Sequence, residues 1–141
     1  MIRIGVILTA YACEETLEEC LKPWVSYREK NPHSVYIAAN SFLFKDAKKK
    51  DNGKTESILK DFFLRGHLSY KTGDSILTEA EARNISFEIL RNRDVDYYWI
   101  LDGDEIYTEE QISSIIEYIK KQTFITWYRL SFKNYVFDEK T

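Results

Sequence analysis

Asp102 and Asp104 flank Gly103 directly after the apolar run Tyr97-Tyr98-Trp99-Ile100-Leu101, and Glu105 follows. Two carboxylates separated by one residue leave an extended segment on the same side. The glycine between them permits close approach. Such hard oxygen donors suit Mg²⁺ or Mn²⁺, which take one or two carboxylates together with water and the phosphates of a nucleotide. The competing reading is a polar strand exit that only caps the next helix. Position favours the metal: a short apolar run ending in acid reads as a strand of an α/β sheet, and such sheets bind ligands at the C-terminal ends of their strands. Asp102 and Asp104 are therefore the candidate metal ligands.

Arg83 is the next residue that could do chemistry. It lies in the first two turns of a predicted helix, where it either makes weak surface pairs or grips a diphosphate with both arms of its guanidinium. Lys45, Lys48, Lys49, Lys50 and Lys54 crowd a polar stretch at 42–54, read as a solvated, mobile surface loop rather than a phosphate patch. Asp74, His33 and His67 stand alone, without ligand spacing around them.

The elements that must carry these residues follow from periodicity. Residues 2–8 form a first strand, and Thr9-Ala10-Tyr11-Ala12 its exit loop. A helix from about residue 14 carries the stripe Leu17, Cys20, Leu21, Trp24 and Val25. Thr16 and Glu19 have capping-box spacing, and Pro23 is expected to kink the helix or end its regular part. Residues 35–39 form a second strand ending at Asn40-Ser41. A short helix from about residue 55 turns Ile58, Leu59, Phe62 and Phe63 inward, residues 68–71 form a weak third strand, and 72–75 a turn.

Thr78 and Glu81 open a helix running to about residue 91, with Ala82, Ile85, Ile89 and Leu90 on its buried face. The run 97–101 is expected as a buried central strand. Thr108 and Gln111 cap a helix with the stripe Ile112, Ile115, Ile116 and Ile119, and residues 124–132 read as a last strand. Alternation of this kind predicts an α/β fold: a mostly parallel sheet, mixed at the edge, with helices on both faces. If the first and fourth strands are neighbours at the switch point, the loop 9–12 lies beside 102–105 and a crevice opens between them.

Size and composition set the bounds. The 141 residues make one domain, and 44% hydrophobic content with ten Tyr and eight Phe supports a packed core. The net charge of −3 argues against a nucleic-acid partner bound by bulk charge. Cys13 and Cys20 read as two buried thiols, and no apolar run reaches membrane-spanning length, so a soluble cytoplasmic chain is expected.

Three segments together carry a resemblance: residues 6–11 with 14–21, then Glu81-Ala82-Arg83-Asn84, then Trp99 to Glu105. In this order and spacing the chain resembles the N-terminal, donor-binding half of a family 2 glycosyltransferase with the GT-A, Rossmann-like nucleotide-diphospho-sugar transferase fold. The resemblance implies a metal-dependent transferase that takes a sugar from a nucleotide-diphosphate donor, expected to be a UDP-sugar, to a glycan, lipid or protein acceptor. It implies Asp104 as the direct metal ligand and Asp102 at the ribose or at the metal through water. Thr9, Ala10 and Tyr11 would line the nucleoside pocket with Gly103 nearby, and Arg83 would sit by the diphosphate.

The family usually shows an acidic pair and Gly-Ser after its second strand. Here Ala39-Asn40-Ser41 stands instead, leaving Asn40 to meet a uracil edge. The family's catalytic base belongs to the acceptor-binding half, so residues 1–141 are expected to be one donor-binding domain without that half. A non-catalytic nucleotide-sugar-binding or assembly module is the alternative. A nucleotidyltransferase would want a glycine-rich basic loop at 9–13, which this sequence lacks. Without the family's later elements Phe124, Trp127, Tyr128, Tyr135 and Phe137 are expected to leave an apolar patch, which predicts a homodimer through the C-terminal region.

Overall fold

The computed structural model describes residues 2–122 of the chain. The elements alternate in order: β1 (Ile4–Thr9), α1 (Leu17–Lys30), β2 (Val35–Phe44), α2 (Gly53–Leu64), β3 (Ser69–Leu77), α3 (Glu79–Ile89), β4 (Tyr97–Asp102) and α4 (Glu109–Lys120). The described strands form one sheet in the order β3-β2-β1-β4, every pairing parallel. The chain builds outward from β1 to β3, then crosses back to the far side of β1. That reversal is the switch point expected from the alternation. The residues proposed for a last strand and for a dimer patch lie outside the described residues.

Helices cover both faces unequally. On one face Val6, Leu8, Trp99 and Leu101 meet Leu17, Leu21 and Trp24 of α1, Leu59 of α2 and Ile112 and Ile116 of α4 in the main core. Trp24 stands edge-on to Trp99 with centroids 4.7 Å apart, a favoured aromatic geometry. On the other face α3 presses Leu90 onto Ile7 and Ala38. Gly5 makes that contact possible, since a Cβ there would lie 2.9 Å from Leu90 Cδ1 and 3.1 Å from Tyr98 Cδ1.

The structure departs from the periodicity in several places. β2 runs five residues past Ala39, to Phe44, because β3 pairs along it. β3 is accordingly a nine-residue strand, and Thr72-Gly73-Asp74-Ser75 is no turn. Thr72 pairs with Ser41 but Ile76 with Leu43, so the extra residues form a bulge inside the ladder. A Cβ on Gly73 would come within 3.0 Å of the Phe42 ring, which explains the glycine in this bulge. α1 passes through Pro23 to Lys30 and starts at Leu17 rather than near residue 14. Thr16 stands at its N-cap without a side-chain cap bond.

Two burial expectations also change. Phe63 is 47% exposed, on the outer side of α2, where it meets Tyr70 edge-on. In β4 only Trp99 and Leu101 are buried, while Tyr98 and Ile100 are 47% and 41% exposed. Among the described residues β4 is one of the two outer strands, and α3 packs over β1, β2 and β3. Apolar content alone cannot separate a one-sided strand from a two-sided one. Among the described residues no helix is long and apolar enough to cross a membrane.

The capping boxes at Thr78/Glu81 and Thr108/Gln111 both form, with reciprocal side-chain to backbone bonds of 2.9 and 3.1 Å in each. The first fixes where α3 starts. Replacing Thr78 by alanine is expected to lower stability by about 1 kcal/mol in chemical denaturation; an unchanged midpoint would show the box to be energetically idle.

Candidate functional site

The site is built from the register of two strands. β1 and β4 pair so that Thr9 stands opposite Asp102, the last residue of each strand. Beyond them the chain leaves both strands on the same side, and an open cleft of about 420 Å³ lies there. Thr9 and Tyr11 line it from the β1 exit, and Asp102, Gly103 and Asp104 from the β4 exit.

The β4 exit is a tight turn, not the extended segment that the Asp-Gly-Asp spacing suggested. The Glu105 N–H donates to Asp102 O at 2.9 Å, closing the turn. The Glu105 carboxylate folds back to accept the Asp102 N–H at 2.8 Å. Its position is therefore taken up by the backbone, and the two aspartates are left facing the cleft. Asp104 is exposed, Asp102 is half-buried and Gly103 is buried.

Gly103 is held by its N–H donating to Thr9 O at 2.8 Å and by Thr16 Oγ1 donating to its carbonyl at 2.9 Å. A Cβ at this position would lie 2.5 Å from Cys13 Sγ and 3.3 Å from Ala10 Cβ. Close packing between the two exits demands the glycine, and its backbone dihedrals play no part.

The electrostatics follow from burial. Burial raises the Asp102 carboxyl above its ordinary range; Arg83 opposes that rise, while Asp104 and Glu79 add to it. Burial likewise raises Glu105. The Cys13 thiol is pushed up to about 12 by burial, then by Asp104 and Glu14.

Not every expected site residue reaches the cleft. Ala10 is 1% exposed and lies under Gly103, in the floor. Asn40 is fully buried. Its Nδ2 donates to Ser86 Oγ at 2.8 Å, Leu8 O at 3.2 Å and Thr9 Oγ1 at 3.3 Å. Asn40 thus ties β1, β2 and α3 together beneath the cleft rather than presenting its amide to a ligand. Arg83, in the second turn of α3, pairs with Glu79 through Nη1 at 2.5 Å and acts on Asp102 from there.

The structure adds residues the sequence reading passed over. Glu79, the first residue of α3, lines the cleft. Its spacing of four from Arg83 was the available signal. Phe42 and Phe44 line it as well, with Lys48 and Lys50 of the stretch read as a solvated loop, and their placement depends on the extension of β2.

The exit loop of β1 is fastened by side chains. Ala12, at the left-handed φ of 48°, donates its N–H to Asn52 Oδ1 at 2.7 Å. The Cys13 N–H donates to Thr55 Oγ1 at 2.9 Å. Asn52 Nδ2 also donates to Ser41 Oγ at 2.8 Å. This N-cap residue of α2 serves a long-range link instead of a cap bond.

The donor set fits a hard divalent cation only in part. Among the described residues no group of three or more His, Cys, Asp or Glu could hold a metal unaided. The carboxylates of Asp102 and Asp104 on one cleft supply the share that Mg²⁺ or Mn²⁺ takes from protein when phosphates and water complete the shell.

Fold and cleft together define a Rossmann-like α/β domain with its pocket at the β1/β4 switch point. Solved structures of S. aureus TarS are similar to it. TarS 1-349 in complex with UDP-GlcNAc superposes with a TM-score of 0.55 at 16% identity, over 85% of this chain and 32% of that one. The complex with UDP gives 0.57 at 15% over the same shares, and a further TarS structure gives 0.59 at 14%, over 85% and 20%. The chain thus spans about a third or less of the TarS chains it matches. No family model and no curated protein matches the sequence.

Gly103→Ala is expected to cost about 1–3 kcal/mol in denaturation, the range for overpacking. Most of that loss should return in a Cys13→Ala background, because the Sγ contact is the shortest. Equal losses in both backgrounds would contradict the packing account.

Proposed function

We infer that this chain binds a UDP-sugar with Mn²⁺ or Mg²⁺ at the β1/β4 cleft and is a metal-dependent, family 2-like glycosyltransferase domain. The observation that carries the reading is the Thr9/Asp102 register, which gives one cleft both strand exits and the acid pair. The TarS complexes with UDP-GlcNAc and UDP support the class of ligand, because they share this fold.

In this reading Thr9 and Tyr11 face the nucleoside. Asp104, exposed at the turn, meets the cation directly, and Asp102 meets the ribose or a water on the cation. Arg83 stays beside Asp102, where its charge helps keep that carboxylate ionised against burial. When bound, the divalent ion supplies Lewis-acid stabilisation of the leaving diphosphate. The residues around it fix geometry: Glu105 and Gly103 hold the turn, so the carboxylates need little reorganisation on binding. The acceptor is a glycan, lipid or protein whose identity the cleft does not encode.

A donor-binding module without transfer is the second reading. It is favoured by one feature: the further carboxylate on the cleft, Glu79, is engaged by Arg83 rather than free to act as a base. Assaying sugar release from UDP-sugars separates the two, since a pure binder releases none.

Calorimetry with UDP in Mn²⁺ and in chelator tests binding directly. Wild type is expected to bind more tightly in Mn²⁺. Asp104→Ala should erase that gain, a loss of about tenfold or ~1.4 kcal/mol, without unfolding the chain. UDP binding indifferent to metal in the wild type would retire the metal assignment, and no binding of any nucleotide diphosphate would retire the whole reading.

A further inference from the structure

The basic stretch after β2 is an exposed loop, but it is tethered at several points. Lys45 N–H donates to Leu77 O at the end of β3 at 3.0 Å, and Ala47 N–H to Phe44 O at 3.0 Å. Tyr11 clasps the middle of the loop: its hydroxyl donates to Lys50 O at 3.0 Å and accepts the Lys50 N–H at 3.3 Å. Asn52 closes it onto Ala12 and Ser41. The loop is thereby fixed as a wall of the cleft, with Lys48 and Lys50 lining it across from the acid pair.

Charge balance gives these lysines a task. Two aspartates cancel a divalent cation, so the metal alone leaves a diphosphate's negative charge uncompensated. Arg83 pairs with Glu79 and is not among the residues lining the cleft. Among the described residues neither Lys48 nor Lys50 is held in an ion pair. They are cations lining the cleft that remain available to a ligand. Long flexible ammonium side chains suit a phosphate that they meet as point charges.

We propose that the Tyr11-clasped loop is a phosphate-binding element in which Lys48 and Lys50 grip the diphosphate of the donor opposite Asp102 and Asp104. Tyr11 thereby serves twice: it lines the cleft and its hydroxyl holds the lysine-bearing backbone. The proposal rests on the donor-binding reading above and adds what neutralises the diphosphate.

The test compares UDP with UMP on the full chain in Mg²⁺, by calorimetry, for wild type, Lys48→Gln/Lys50→Gln and Lys48→Arg/Lys50→Arg. Wild type is expected to prefer UDP. In the glutamine variant that preference should shrink by about tenfold, with UMP affinity changing less than about threefold; the arginine variant should keep it. The single glutamine substitutions, each expected to lose part of the preference, serve if the double variant does not fold. UDP and UMP weakening by the same factor, or neither weakening, overturns the lysine role while leaving donor binding intact. Failure of wild type to bind either nucleotide overturns the donor reading itself and this proposal with it.

Discussion

The parallel pairing of β1 with β4 is the constraint on which the rest depends. These strands are far apart in sequence, and only the crossover through α1 to α3 brings them side by side. Once paired, residue faces a register in which Thr9 ends level with Asp102. Side chains alternate across a sheet, so a slip of one residue would turn Asp102 toward the opposite face. The buried apolar residues prevent that slip. Val6 and Leu8 in β1, with Trp99 and Leu101 in β4, all belong to the main core, and turning Trp99 and Leu101 to the face where Tyr98 and Ile100 now lie would expose them.

Local bonds then convert the register into a shaped turn. Gly103 lies against Cys13 and Ala10, so the two strand exits are in van der Waals contact. Glu105 and Thr16 satisfy backbone groups at the turn that would otherwise lie half-buried without partners. Asn40 does the same below, linking the end of β1 and the middle of β2 to α3 through Leu8, Thr9 and Ser86. The carboxylates of Asp102 and Asp104 are presented by a frame held from three sides. Glu79, Lys48 and Lys50 line the same cleft, so it carries both signs of charge, and Arg83 stands behind Glu79 as its ion-pair partner.

Much of this was legible in the sequence because it is local. The apolar run before Asp102 marked a strand, the Thr78/Glu81 and Thr108/Gln111 spacings marked helix starts, and alternation of elements marked a parallel sheet with β1 next to β4. What escaped depends on distant partners. The Gly73 segment reads as a turn until β2 is known to continue beside it and absorb it as a bulge. Asn40 reads as a base-contacting residue until α3 is seen to bury it. The lysine-rich stretch is solvated as expected, but that it is tied down by Tyr11 from another loop shows only in the structure. Charge runs and turn residues carry no information about what packs over them, and that is why the opposite wall of the cleft was missed.

Paramagnetic broadening of backbone amide signals by substoichiometric Mn²⁺, in the presence of UDP, tests the central claim most directly. The account predicts that the strongest loss falls on two stretches distant in sequence, residues 102–105 and residues 9–13, because one register makes them one site. Broadening confined to either stretch alone, or centred elsewhere on the chain, would contradict it.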